Sequence, residues 1–326
     1  MKKQLRIGTR DSQLAVWQAT LVQDLLRQNE IPSELVYIKS EGDLDTITPL
    51  YELGVQGIFT KTLDAALLNN RIDIAVHSMK DVPTAMAQGL QQAAVLSRAS
   101  HKDILVYNGG RDAIEKVLQS ENGIEDNLDD LSQTSPSTFL IATSSIRRRA
   151  QWLHRYPHHQ FDNLRGNVNT RMRKLKESNW NGAIFAAAGL ERIQLRPQNS
   201  IDLDWMLPAP AQGAILIACR EGDDETFEAC HPFNDPITAL CTKIERDFLK
   251  TLLGGCSTPI SGLAQMNYAQ IEFKGNICSV DGTQKIAIEM KAEIALSEDL
   301  GIKAGQEMLQ KGGQEIVATI RQKNIL

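Results

Sequence analysis

Short apolar runs alternate with helix-spaced apolar stripes along the first two thirds of this chain. Leu5 to Thr9 predicts a strand, and Leu14, Trp17, Leu21 and Leu25 then recur at helical spacing behind Ser12, a good N-cap. Leu35 to Ile38 predicts a second strand and Phe59 to Leu68 a helix. Ile72, Ile74, Ala75 and Val76 form a short run of the kind buried in a parallel sheet. This β-α-β-α-β rhythm argues a parallel sheet with helices on both faces. Between the second strand and the helix lies a loop, residues 40–58, carrying Gly42, Pro49, Gly54 and Gly57. Loops of that length often act as lids.

The pattern restarts at Ile104 to Tyr107. Residues 111–138 are acidic and polar, with a helix expected over Asp112 to Leu118 and a surface insertion beyond it. Phe139 to Ala142 predicts a strand, and Ile146, Ala150 and Leu153 mark the face of a following helix. Leu164 to Arg171 reads as a strand end and helix start, and Ala183 to Ala188 as a buried strand ending at Gly189. Leu207 to Ala214 is a Pro/Gly hinge, and the strand Ile215 to Cys219 beyond it suggests that the chain crosses back to the first unit. From Thr238 the character changes. A helix to Leu252 precedes two strands, Ile271 to Ser279 and Lys285 to Ile294, joined by the hairpin signal Asp281-Gly282, and a helix from Glu298 to Gln310. The expected fold is α/β, in two lobes with mixed or parallel sheets plus a small C-terminal α+β domain. The expected boundaries are 1–100 with about 213–232, then 101–212, then 233–326.

Composition narrows the function. The 326 residues carry a net charge of -5, and 5% are aromatic, so neither a nucleic-acid surface nor a base-stacking platform is indicated. No charged-then-apolar leader and no apolar run of membrane length occurs, which leads to the expectation of a soluble cytoplasmic protein. The cysteines, Cys219, Cys230, Cys241, Cys256 and Cys278, are odd in number and contain no Cys-x-x-Cys, so a complete disulfide framework or a zinc ribbon is disfavoured. The histidines show no metal-ligand spacing.

The chemistry gathers at predicted strand ends. Asp73 to Pro83 begins as a buried strand and ends in His77, Ser78, Lys80 and Asp81, where ligands of open α/β sheets sit. Read from spacing alone, Lys80 and Asp81 are equally an ordinary solvated pair. Arg10 with Ser12, and Ser145 with Arg147 and Arg148, fall at helix starts that suit anions, and the basic first turn of the second opposes the helix dipole. Arg165, Arg171 and Arg192 also stand near element ends. In an acidic chain without a P-loop, these arginines point to a small multivalent anion, and carboxylates suit them as well as phosphate. Cys256 follows two glycines and precedes Ser-Thr-Pro, on a loop. It reads as a nucleophile, a covalent attachment point or an incidental thiol.

Taken in order, Arg6-Ile7-Gly8-Thr9-Arg10, Ala75-Val76-His77-Ser78-Met79-Lys80-Asp81-Val82-Pro83, Thr143-Ser144-Ser145-Ile146-Arg147-Arg148, Leu164-Arg165-Gly166-Asn167-Val168, Ala211-Gln212-Gly213-Ala214 and Gly254-Gly255-Cys256 resemble the porphobilinogen deaminase (hydroxymethylbilane synthase) family over nearly the whole chain. The resemblance implies two lobes like those of periplasmic binding proteins and a third, α+β, domain. It implies a transferase of haem biosynthesis that joins four porphobilinogens head to tail, with loss of ammonia, and releases hydroxymethylbilane. The primer would be a dipyrromethane cofactor held by a thioether to Cys256. Asp81 would be the catalytic carboxylate, stabilising the azafulvene cation. Ser78, Lys80, Asp81, Ser145, Arg147, Arg148, Arg165 and Arg171 would contact the cofactor. Arg10, Ser12, Gln18, Arg165, Arg171 and Arg192 would contact substrate. Porphobilinogen would be the only partner of a monomeric protein, with no metal, nucleic acid or membrane. Two positions depart from the family pattern: Gln56 stands for a lid lysine, and Ala211 for a frequent glycine. A two-lobed, non-enzymatic binding protein for a dicarboxylate remains the alternative, and it needs neither Cys256 nor Asp81.

Overall fold

The structure, a computed structural model, describes residues 3–39, 60–120, 139–252 and 258–323. The proposed lid with Gln56, most of the acidic insertion and Cys256 lie outside the described residues. The first lobe opens with β1 (Leu5–Thr9), α1 (Gln13–Gln28), β2 (Ser33–Tyr37), α2 (Lys61–Leu68), β3 (Ile74–Ser78) and β4 (Leu90–Val95). The chain then builds a second lobe from β5 (Asp103–Tyr107), α3 (Arg111–Ser120), β6 (Leu140–Ala142), α4 (Ile146–Arg155), β7 (Gln160–Asp162), α5 (Val168–Glu177), β8 (Gly182–Ala186), α6 (Ala187–Glu191) and β9 (Ser200–Asp202). It returns to the first lobe as β10 (Ile215–Arg220) and α7 (Asp224–Cys230). A third unit follows: α8 (Pro236–Thr251), β11 (Ile260–Asn267), β12 (Gln270–Cys278), β13 (Lys285–Glu293), α9 (Leu300–Met308) and α10 (Gln314–Lys323).

Each lobe holds one five-stranded sheet, in the orders β2-β1-β3-β10-β4 and β7-β6-β8-β5-β9. The three strands at one side are parallel in both, as the β-α-β rhythm requires. The fourth runs antiparallel: β10 against β3 and β4, and β5 against β8 and β9. These two strands flank the two crossings between lobes, so the sheets are mixed.

Alternation along β3 sorts the site. Ile74 and Val76 pack with Ala19, Val22 and Leu26 of α1, while Ala75 packs with Leu63, Ala66 and Leu67 of α2. Both faces are covered, which is why the strand reads as an unbroken apolar run. The polar residues that follow inherit the two directions: Ser78 meets Gln18 of α1, and His77 meets Asp64 of α2. In the second lobe, Leu175 and Leu190 cover one sheet face, and Ile114, Trp152 and Tyr156 the other. The third unit packs Ile244 and Phe248 of α8 and Met308 of α9 onto Phe273 and Ile277 of its antiparallel sheet.

Several boundaries differ from the sequence reading. The strand expected to reach Ala188 stops at Ala186, and α6 begins at once. Ala187, Ala188 and Leu190 are buried in either state, so an apolar run alone does not separate strand from short helix. Leu164 lies in the loop after β7 rather than on a strand, although it is buried. The strands β4, β7, β9 and β11 carried no clear signal. The edge strands β7 and β9 are short and polar, the usual form of a guarded sheet edge. The last predicted helix runs from Leu300 to Met308 and then widens at Leu309–Gly313, where Gly312 takes φ 101°.

Candidate active site

The C-terminal edges of the parallel strands present the polar residues. Ser78 ends β3, and Met79–Asp81 form one 3-10 turn that bears Lys80 and Asp81, both half-buried. Gln18 is buried and donates from Nε2 to Ser78 Oγ at 2.9 Å. Lys80 Nζ donates to Gln212 Oε1 at 3.2 Å. Burial lowers the Lys80 pKa to about 8, and the charges it feels are Asp81, Arg148, Asp103 and Arg147. Burial likewise lowers Arg171 to about 10, with Arg148, Arg165, Asp81 and Arg10 as its charged neighbours. His77 falls to about 4, first through burial and then through Arg10, so it is neutral at pH 7. The fold therefore brings Arg10, Lys80, Asp81, Arg147, Arg148, Arg165 and Arg171 from two lobes into one electrostatic neighbourhood.

The hydroxyls at the helix starts have local work. Ser12 Oγ accepts from Ala15 N–H at 3.4 Å, Ser145 Oγ from Arg148 N–H at 3.5 Å, and Asn167 Oδ1 from Thr170 N–H at 2.9 Å. Ser12 and Ser145 are thus N-caps, which leaves each hydroxyl proton for another acceptor.

Arg147 and Arg148 oppose their own helix dipole because Asp103 compensates them. Asp103 is fully buried at the start of β5. Arg147 Nη2 lies 2.8 Å from its Oδ2, and Arg148 Nη2 donates to Oδ1 at 2.7 Å. Arg147 also donates to Leu207 O at 2.7 Å and Arg148 to Ile184 O at 2.9 Å. Burial alone would raise the Asp103 pKa, but Arg147, Arg148 and Lys80 hold its carboxyl well below the usual carboxylate range. Gln212 joins this group across the hinge, donating to Asp103 Oδ1 at 3.0 Å and to His101 O at 2.8 Å. The sequence reading singled out neither Asp103 nor Gln212 as a site residue. A lone Asp opening an apolar run carries no local signal, and Gln212 was visible only as part of a hinge motif.

Arg192 stands apart from that cluster. Its Nη2 donates to Gly213 O at 2.6 Å, and its guanidinium lies 5.8 Å from the Trp17 ring centre, so it spans hinge, second lobe and first lobe. Burial lowers its pKa to about 10. A second contact between lobes, Asn169 Nδ2 to Gln13 Oε1 at 2.9 Å, joins the starts of α5 and α1. The hinge strands approach closely: a Cβ on Gly213 would lie 2.7 Å from Ser100 O. Ala211 is buried at φ 63°, a left-handed conformation that costs an L-residue about 1–2 kcal/mol. Glu245 Oε2 accepts its N–H at 2.6 Å and holds it there. Among the described residues, no group of three or more His, Cys, Asp or Glu could hold a metal, and no helix is long and apolar enough to cross a membrane.

Residues 5–228 match the family model "Porphobilinogen deaminase, dipyromethane cofactor binding domain", and residues 239–310 match "Porphobilinogen deaminase, C-terminal domain". A protein of Syntrophotalea carbinolica named porphobilinogen deaminase is 38% identical over 320 residues, covering 97% of this chain and 96% of its own. One of the same name from Geobacter metallireducens is 38% identical over 327 residues, covering 99% and 96%. Among solved structures, an amino acid ABC transporter substrate-binding protein of Streptococcus pneumoniae bound to L-arginine aligns with a TM-score of 0.40 and 12% identity, over 71% of this chain and 86% of that one.

Proposed function

This chain belongs to the porphobilinogen deaminase family, and from that premise we propose how its own residues carry the family's reaction. The enzyme is a transferase. It condenses four porphobilinogens head to tail, with loss of ammonia, on a covalently bound dipyrromethane primer, giving hydroxymethylbilane for haem and other tetrapyrroles. The observation that carries the residue assignment is the group of cations at the C-terminal edges of the parallel strands, with one half-buried carboxylate, Asp81, among them.

The donor set fits the primer. Two pyrroles bearing acetate and propionate bring several carboxylates and two ring N–H groups. Lys80 and Arg171 are cations whose charge burial disfavours, which is the state a polycarboxylate relieves. Ser78, Lys80, Ser145, Arg147, Arg148, Arg165 and Arg171 would hold those carboxylates, and Asp81 would accept the ring N–H groups. Arg147 and Arg148 already have Asp103, so they would supply field and their remaining N–H donors rather than naked charge. When bound, the primer would supply the nucleophilic pyrrole carbon for the first unit, and each later unit would be added to the last ring of the growing chain. Asp81 would stabilise the positive charge that develops on porphobilinogen as ammonia leaves, and would assist the proton transfer that follows. Arg10, Ser12, Gln18, Arg165, Arg171 and Arg192 would orient the incoming carboxylates. Gln18 does so through Ser78, to which it is bonded.

Cys256 would be the tether, as the one cysteine that follows a pair of glycines, Gly254-Gly255; Cys219, Cys230, Cys241 and Cys278 are buried, which raises their thiol pKa values and keeps them inert. The reading takes in a monomeric, cytoplasmic enzyme whose partner is porphobilinogen, without nucleic acid or membrane. Intact mass tests the tether: wild-type protein is expected above its sequence mass by one dipyrromethane, and Cys256→Ser at the sequence mass. A fully active wild-type protein without the added mass would refute it.

A further inference from the structure

The turn that presents Lys80 and Asp81 is closed from two domains. Within the first lobe, Met79 N–H donates to Ala214 O at 3.0 Å and Val82 N–H to Met79 O at 3.1 Å. The carbonyls on the far side of the turn are taken by Arg246 of α8, in the third domain. Its Nη1 donates to Val82 O at 2.9 Å and its Nη2 to Pro83 O at 2.5 Å, and Met79 O lies 3.5 Å from Nη1. A planar guanidinium can straddle consecutive carbonyls in this way, whereas an ammonium offers no such fork. The preceding residue reaches elsewhere. Glu245 is fully buried and accepts from Arg98 Nη1 at 2.6 Å, Ala211 N–H at 2.6 Å and Ala264 N–H at 2.8 Å. Adjacent residues of α8 therefore hold the Asp81 turn and the hinge, and the chain beyond α8 leads within a few residues to Cys256.

We infer that Arg246 is a positioning residue for Asp81, holding the Met79–Pro83 turn from the third domain so that the carboxylate keeps one place as pyrrole units are added. The inference rests on the role assigned to Asp81 above. A carboxylate that stabilises developing charge does so because its position is set in advance. Asp81 ends a single 3-10 turn whose start is bonded to Ala214 O and whose far carbonyls, Val82 O and Pro83 O, are held from outside by Arg246.

The test uses cofactor-loaded protein carrying Arg246→Leu or Arg246→Lys, each alone and combined with Asp81→Asn. Arg246→Leu is expected to lower kcat on the order of 10- to 100-fold, the usual result of displacing a reacting group by about 1 Å, with KM little changed. Arg246→Lys should fall between it and wild type. Hydrogen exchange at the Met79–Val82 amides should quicken in both variants. In the Asp81→Asn background, Arg246→Leu should cost little more, because the group it positions is gone. Losses that multiply in the double variant, or a normal kcat with only a lowered Tm, would overturn the inference. If Arg246→Leu fails to fold, Arg246→Lys carries the same cycle. The two readings fail separately: normal turnover in Asp81→Asn strikes the role of Asp81, while unchanged amide exchange in Arg246→Leu strikes the hold by Arg246.

Discussion

Each lobe buries one aspartate against two arginines, but at opposite edges of equivalent sheets. In the first lobe, Asp73 stands just before β3 and takes Arg6 Nε at 2.9 Å, Arg220 Nη2 at 3.0 Å and Lys3 Nζ at 3.1 Å. In the second, Asp103 opens β5 and takes Arg147 and Arg148. The sheets superpose in order if β5 answers to β10, yet β10 comes last in its lobe and β5 first. Because β5 is antiparallel, its first residue pairs with Ala186 at the C-terminal end of β8, the edge that faces the cleft. Asp73 precedes a parallel strand and so lies at the edge away from the cleft. The same pairing of one aspartate with two arginines thus cements one lobe and lies at the proposed active site of the other. Direction of a single strand makes the difference.

Replacing each aspartate would sharpen that contrast most. Asp103→Asn should destabilise by about 3–5 kcal/mol, the cost of leaving the buried Arg147 and Arg148 without their carboxylate, and Asp73→Asn by less, because Arg6, Arg220 and Lys3 keep access to water. Under conditions where both remain folded, Asp73→Asn should keep wild-type kinetics, whereas Asp103→Asn should impair cofactor loading or raise KM. Urea unfolding with steady-state kinetics checks both, and equal kinetic losses would erase the distinction between edges. Both carboxyls titrate below the usual aspartate range in the folded protein. Their stabilisation is therefore complete above the unfolded value near about 3.9 and is lost as pH falls through the lower folded values.

A smaller effect, confined to the cleft edge, is expected from Asp81→Asn. It should keep the fold and most of the substrate affinity but lose turnover by roughly two orders of magnitude or more, a typical loss for removed charge stabilisation. Near-normal turnover would show that the cleft edge works without its carboxylate.

The mildest test is pH. Lys80 gives up its proton near pH 8 in the free protein, well below an ordinary lysine, so its positive charge is present below that pH and lost above it. The expected outcome is a capture of the primer by cofactor-free protein that weakens above about pH 8, by at most about tenfold per pH unit, because in the loaded enzyme the bound carboxylates would hold the Lys80 charge. Lys80→Arg should move that limb beyond pH 10, since a guanidinium keeps its charge there. A limb that stays at pH 8 in Lys80→Arg belongs to another group.

Much of this protein is written locally. The strands β1, β3, β5, β6 and β10, the helices behind Ser12 and Ser145, and the hairpin at Asp281-Gly282 follow from apolar period and cap chemistry, which short stretches of chain contain in full. Ser78, Lys80 and Asp81 were legible for the same reason: polar residues at the end of a buried strand have no core to enter. The motifs were also enough to indicate the family. Tertiary structure alone decided what the arginines face. That Arg147 and Arg148 share a buried carboxylate, that Gln212 bridges it to Lys80, and that Arg246 reaches the Asp81 turn all depend on residues 44 to 167 positions apart. Sequence period reports which side of an element is buried, but not against which distant charge. Long-range ion pairing leaves no periodic trace, because one carboxylate placed by the fold can satisfy two guanidinium groups that look exposed and ill-sited in the chain.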